Sequence, residues 1–156
     1  MNRRSLLGLA AGAVVGSAGC VENDDATEPD SSSASTSAES VDSVEFELVD
    51  PERDAEAAPE VAVDENTVTA SGTVRYASST CGTVELAHAG YEASQDRLDL
   101  LVVAADDPEA GSECTEDIDA AGYRLEATVG GRLRRVAATE HHAFGNAYST
   151  TTDVTE

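Results

Sequence analysis

Cys20 is the residue whose surroundings point most directly to a chemistry. It closes Ser17-Ala18-Gly19-Cys20 after an apolar run from Leu6 to Ala18. A thiol that follows small residues in this setting is the acceptor of a lipid chain, and Ala18-Gly19-Cys20 matches the last three positions of a bacterial-type L-A-G-C lipobox. Ser17 stands where a large aliphatic residue is usual. Arg3-Arg4-Ser5-Leu6-Leu7 precedes the run and matches R-R-x-L-L, the twin-arginine export signal. Leu6–Ala18 is too short to span a bilayer, which takes about 20 apolar residues, and fits the core of a signal peptide. The expectation is that residues 1–19 are removed and that Cys20 becomes the lipid-modified first residue, holding the chain on the extracellular face of the cell membrane. A plain secretory signal followed by an unrelated cysteine is the alternative.

Lipidation of Cys20 would leave an even pair, Cys81 and Cys114. In an oxidising compartment that pair predicts one disulfide. Two free or metal-binding thiols are the rival reading, but no C-x-x-C partner lies near either cysteine for a zinc site. The histidines are His88, His141 and His142. Imidazoles on neighbouring strands, with Glu140 as an oxygen ligand, would make a copper-type metal site. Adjacent residues of a strand point to opposite faces, so only one of His141 and His142 would readily join His88. The bland alternative places His88 in a sheet and the pair at a strand end near solvent.

Ser78-Ser79-Thr80 beside Cys81 lacks a G-x-S-x-G elbow and reads as a turn whose hydroxyls bond backbone amides. Asp106, Asp107, Glu113, Asp117 and Asp119 do not follow the D-x-[DN]-x-[DN]-G calcium loop. Arg132, Arg134 and Arg135 form the one basic cluster, suited to pairing with the acidic surface or to contacting an anionic polymer or membrane headgroups. No catalytic residue and no cofactor is expected from these constellations.

The chain carries 31 Asp and Glu against 9 Arg and no Lys. Without Arg3 and Arg4 the net charge is 7 − 31 = −24. Such a surface repels itself at low salt, and molar salt shortens the screening length to about 3 Å. The composition resembles that of proteins from extreme halophiles. The thermal midpoint is expected to drop when molar salt is diluted to millimolar; a midpoint that holds would contradict the halophilic reading. Phosphate neutralisation needs a basic patch larger than this chain offers, which disfavours nucleic acid as a partner.

The elements that position these groups read as strands. Val21–Asp42 holds eight Ser/Thr and seven Asp/Glu with no Leu, Ile, Phe or Tyr, and is expected to be a disordered tether (residues 20–42 with Cys20). As a flexible coil it would hold the domain about 25 Å from its anchor. From Ser43 the pattern turns to period two, with Val44, Phe46 and Leu48 on one face. A short run at Val61 and Val63 leads through Asp64-Glu65-Asn66 into Thr67–Tyr76; further strands are expected over Thr83–Tyr91, Arg97–Ala105, Tyr123–Val129 and Leu133–His142. Leu101 and Val103 alternate with Leu98, Leu100 and Val102, which predicts a central strand covered on both faces. Gly130-Gly131 predicts a hairpin, Asp117–Ala121 a helical turn, and residues 146–156 a flexible tail. The expected fold is all-β: an antiparallel β-sandwich over residues 43–145, immunoglobulin-like among the options, with a small barrel as the alternative.

Gly72-Thr73-Val74-Arg75-Tyr76, Ser78-Ser79-Thr80-Cys81-Gly82, and Cys114-Thr115-Glu116-Asp117 with Tyr123 resemble a group of haloarchaeal secreted lipoproteins. The resemblance spans Val61 to His142 and implies a small disulfide-bearing β domain on the cell surface, with no activity attached. Together with the export signal it leads to a non-enzymatic, lipid-anchored surface protein with a binding or envelope-interaction role. The alternative is a small extracellular metal-binding protein using His88 and His141 or His142.

Overall fold

The structure, a computed structural model, describes residues 40–155. The export signal, Cys20 and residues 20–39 of the expected tether lie outside the described residues. Eight strands alternate with short connections: β1 Val41–Val49, β2 Glu60–Asp64, β3 Thr67–Ala77, β4 Gly82–Glu92, β5 Arg97–Asp106, β6 Ile118–Val129, β7 Arg135–His141 and β8 Ala147–Asp153. They form two four-stranded sheets, ordered β1-β6-β3-β2 and β4-β5-β7-β8. The fold is an all-β sandwich. Its strand order differs from the ABED and CFG sheets of an immunoglobulin constant domain.

Period-two alternation explains the core. Val68, Ala70 and Val74 of β3 face inward with Tyr123, Leu125, Ala127 and Val129 of β6. Leu98, Leu100 and Val102 of β5 meet them from the other sheet with Val136 and Ala138 of β7. Most of these side chains are small or β-branched. Tyr123 is the largest fully buried one, and the Phe46 ring stacks on it at 5.8 Å.

Four local expectations are corrected. Gly130-Gly131 does not close a hairpin: β6 belongs to the first sheet and β7 to the second, so residues 130–134 cross between sheets. That crossing returns the chain beside β5 in the same direction, making β5–β7 the one parallel pair among the described strands. Residues 117–121 are not helical, because β6 begins at Ile118 and pairs along its length with β3. The expected flexible tail of residues 146–156 is in large part a strand: Ala147–Asp153 is β8, which pairs with β7 through hydroxyl-rich Ser149–Thr152. Its alternation is polar against polar, so hydrophobic periodicity gave no signal. Finally, β5 is interior to its sheet, but Leu101 and Val103 are only half-buried on its outer side.

The sandwich has two distinct ends. At the near end the chain arrives at Ser40, whose carbonyl accepts the Gly130 N–H at 2.9 Å. The β4–β5 turn and the 130–134 crossing sit there too, joined by the Arg134 N–H donating to the Asp96 carbonyl at 2.8 Å. The far end carries the β3–β4 turn, the loop from Asp107 to Asp117, and the 3-10 turn Ala143–Gly145 between β7 and β8.

Candidate functional site

Ionisable chemistry is buried between the sheets at Glu140. Alternation along β7 points Val136, Ala138 and Glu140 inward, and Glu140 is 0% exposed. Gly72 of β3 lies opposite. A Cβ there would stand 1.8 Å from Glu140 Oε1 and 2.9 Å from Tyr123 Cε1, so only glycine leaves room for the carboxyl. Gly72→Ala is expected to destabilise the fold by about 1–3 kcal/mol through overpacking. Urea unfolding measures this, and an unchanged midpoint would contradict the close approach.

His142 completes the cluster. Its Nε2 lies 3.5 Å from Glu140 Oε2, and its Nδ1 accepts the Arg75 backbone N–H at 3.1 Å. With Nδ1 occupied as an acceptor, the proton of the neutral ring sits on Nε2, facing the carboxyl. Burial lowers the His142 pKa, and the Arg75 charge adds to the shift. Burial also raises the Glu140 pKa, to about 7, against opposing contributions from the Tyr123 hydroxyl and the Arg53 guanidinium. Burial disfavours the charged form of both groups, which works against a salt bridge between them. Tyr123 is held as a phenol by burial and by Glu140. Tyr148 of β8 meets the His142 ring edge-on at 5.0 Å, and the Asn146 carbonyl accepts the His142 N–H at 2.8 Å. Asn146 and Tyr148 thus serve the cluster and are not tail residues. Among the described residues Glu140 Oε1 has no hydrogen-bond partner.

The other histidines lie elsewhere. His88 is exposed on β4 with its ring over Gly90, and His141 is exposed at the end of β7. In the second sheet His88 is level with Leu101 and Thr139, whereas His141 is level with Val103, two strands away from β4. His142 is buried on the opposite side. It does not end a strand near solvent, because β8 folds back over it. The expected His88–His141 or His88–His142 site is therefore not assembled. Among the described residues no group of three or more His, Cys, Asp or Glu is arranged to hold a metal ion.

Cys81 and Cys114 are bonded, with Cα atoms 5.4 Å apart across the far end. The hydroxyl turn beside them takes the expected role: Ser78 Oγ accepts the Cys81 N–H at 3.2 Å. Ser78 adopts φ 66°, a left-handed conformation tied down by these bonds. Bonds from the Ser79 hydroxyl, the Thr115 hydroxyl and the Ser79 N–H, the last at 2.9 Å, hold the Asp117 carboxyl well below the usual range. Asp107 in the loop after β5 and Asp119 in β6 accept the backbone N–H groups of Glu109 and Ala120.

Two open grooves mark the surface. One, of about 770 Å³, lies on the outer side of the first sheet, where Glu45, Glu47, Glu60 and Glu126 surround Thr69 and Ser71. The other, of about 590 Å³, lies at the near end among Arg97, Arg132, Arg134 and Arg135. At the far end Phe144 is 79% exposed with φ 67°, and Ile118 is exposed on the same end. Sequence reading did not single out Phe144; a bulky residue in the left-handed region leaves no periodic signature. No family model, curated protein or solved structure matches the chain.

Proposed function

We propose that this is a non-enzymatic, lipid-anchored protein of the extracellular face of the cell membrane, its sandwich serving as a binding or envelope-interaction domain. The observation that carries the reading is the Cys81–Cys114 disulfide. Such bonds persist in oxidising compartments, and this one leaves Cys20 as the odd cysteine at the end of an export-type segment. Membership of a haloarchaeal lipoprotein group agrees with the acidic, lysine-free composition.

The chemistry supports binding over catalysis. The one strongly shifted acid near neutrality, Glu140, is sealed from solvent with His142. Phe144 supports the same reading: strain in an exposed, bulky residue persists where a contact has use for it.

Cys20→Ser is expected to move the protein from the membrane fraction to the medium with its disulfide intact. Retention of this variant in the membrane would overturn the anchor.

A further inference from the structure

We propose that the arginine-lined groove at the near end faces the anchoring membrane and binds the phosphates of anionic lipid headgroups. The proposal rests on the lipid anchor set out above. Four of the chain's 9 arginines, Arg97, Arg132, Arg134 and Arg135, line this one groove beside Leu133 and Val154. In a chain of net charge −22 that concentration is not compositional. It arises because β5 and β7 run parallel and both begin with arginine at the same end, Arg97 being level with Arg135.

Acidic neighbours meet two of these arginines at Nε: Arg135 Nε pairs with Asp153 at 2.7 Å, and Arg134 Nε pairs with Asp96 at 3.3 Å. A guanidinium has five N–H donors, so one carboxylate does not exhaust its capacity for an oxyanion. Arg97 is more fully engaged, by Asp99 and Gln95. Side chains of Arg134 and Arg135 are 59% and 52% exposed. Paired N–H groups match two phosphate oxygens, the geometry for which Arg is preferred over Lys.

Placement selects the lipid source. The crossing that carries Arg132 and Arg134 is pressed onto the first residues of the domain: Gly130 bonds Ser40, and a Cβ on Gly130 would lie 2.7 Å from Asp42 Oδ1. Ser40, where the described chain begins, therefore lies on the same end as the groove. Tethering gives a local concentration of about millimolar, so a weak contact is occupied once the chain is anchored. In molar salt the repulsion between an acidic protein and an anionic surface decays within about 3 Å, while direct guanidinium–phosphate bonds act at contact.

The test uses the full-length chain coupled through the Cys20 thiol, the cysteine outside the disulfide, to a maleimide lipid in vesicles in molar KCl. Phenylglyoxal modification is followed arginine by arginine by peptide mapping. On phosphatidylglycerol vesicles, modification of Arg132, Arg134 and Arg135 is expected to slow by about threefold relative to phosphatidylcholine vesicles, with Arg124 unchanged. Equal rates on the two vesicles would overturn the proposal. Equal protection by inorganic phosphate on phosphatidylcholine vesicles would make the groove a site for free anions and overturn its membrane role. Because the anchor is supplied chemically, failure here leaves native lipidation a separate question, answered by the fractionation of Cys20→Ser.

Discussion

Replacing Cys81 and Cys114 together by serine is expected to lower the stability of the folded domain by about 3–4 kcal/mol, the loop-closure entropy of the 33-residue separation. The domain has little to offset such a loss. Its core is built from Val, Ala and Leu, with Tyr123 the largest fully buried side chain. The bridge ties the start of β4 to the loop between β5 and β6, a far-end region otherwise held by hydroxyl and carboxylate bonds around Ser78, Thr115 and Asp117. The double variant should retain the two sheets, because no strand pairing depends on the bridge. Urea unfolding of the double variant beside the oxidised protein measures the difference. Cys81 and Cys114 both freely alkylated in the native protein, or a variant of equal stability, would contradict the structural role.

The second large effect is a stability that falls as pH rises. Glu140 binds its proton more tightly in the folded chain, with a pKa of about 7 against an ordinary value of 4.5. Between those values the folded state holds a proton that the unfolded state has released. The contribution of Glu140 is therefore fully present below the unfolded value and is lost as pH rises through 7, amounting to about 3 kcal/mol across the window. His142 works in the opposite sense. Its lowered pKa gives stability that is present above its ordinary value and lost as pH falls below it. Asp117, held low, loses its contribution only in more acidic solution than this window. Glu140→Gln separates the terms. In molar KCl it should match the native protein near pH 4 and exceed it by up to about 3 kcal/mol at pH 8, since a neutral amide avoids burying a charge. Parallel pH profiles for the two proteins would contradict a buried, proton-holding Glu140.

The sandwich was legible because its inner faces alternate. Phe46, Val68, Leu98, Leu125 and Val136 each sit in a period-two run, and the structure turns each of them inward. The disulfide was legible by counting, since setting Cys20 aside as the proposed anchor leaves two cysteines. β8 was not: Tyr148, Thr150 and Thr152 alternate with Ser149 and Thr151, polar on both sides, and only pairing with β7 makes them a strand. The Gly130-Gly131 reading failed for a related reason. A glycine pair permits a tight reversal but equally permits the close passage of Gly130 over Asp42 that a sheet-to-sheet crossing needs.

Glu140 shows the same limit. In the sequence Glu140 stands only as an oxygen ligand beside the histidines, whereas alternation along β7 places it inward after Val136 and Ala138. Its partners were not visible, because Gly72, Tyr123 and His142 come from different strands, and the strand that covers His142 was read as tail. His88 and His141 were grouped by residue type, whereas their pairing levels on β4 and β7 keep them apart. The near-end groove was half legible. Arg132, Arg134 and Arg135 stand together in the sequence, while Arg97 joins them only through the parallel β5–β7 pair.

Cys20 is the proposed point where the chain meets the membrane. Intact-mass measurement of the protein taken from the membrane fraction tests this most directly. The expected species begins at Cys20, carries added lipid mass on that residue, and lacks residues 1–19. A mature protein that begins elsewhere, or one that is soluble with an unmodified Cys20, would contradict the account.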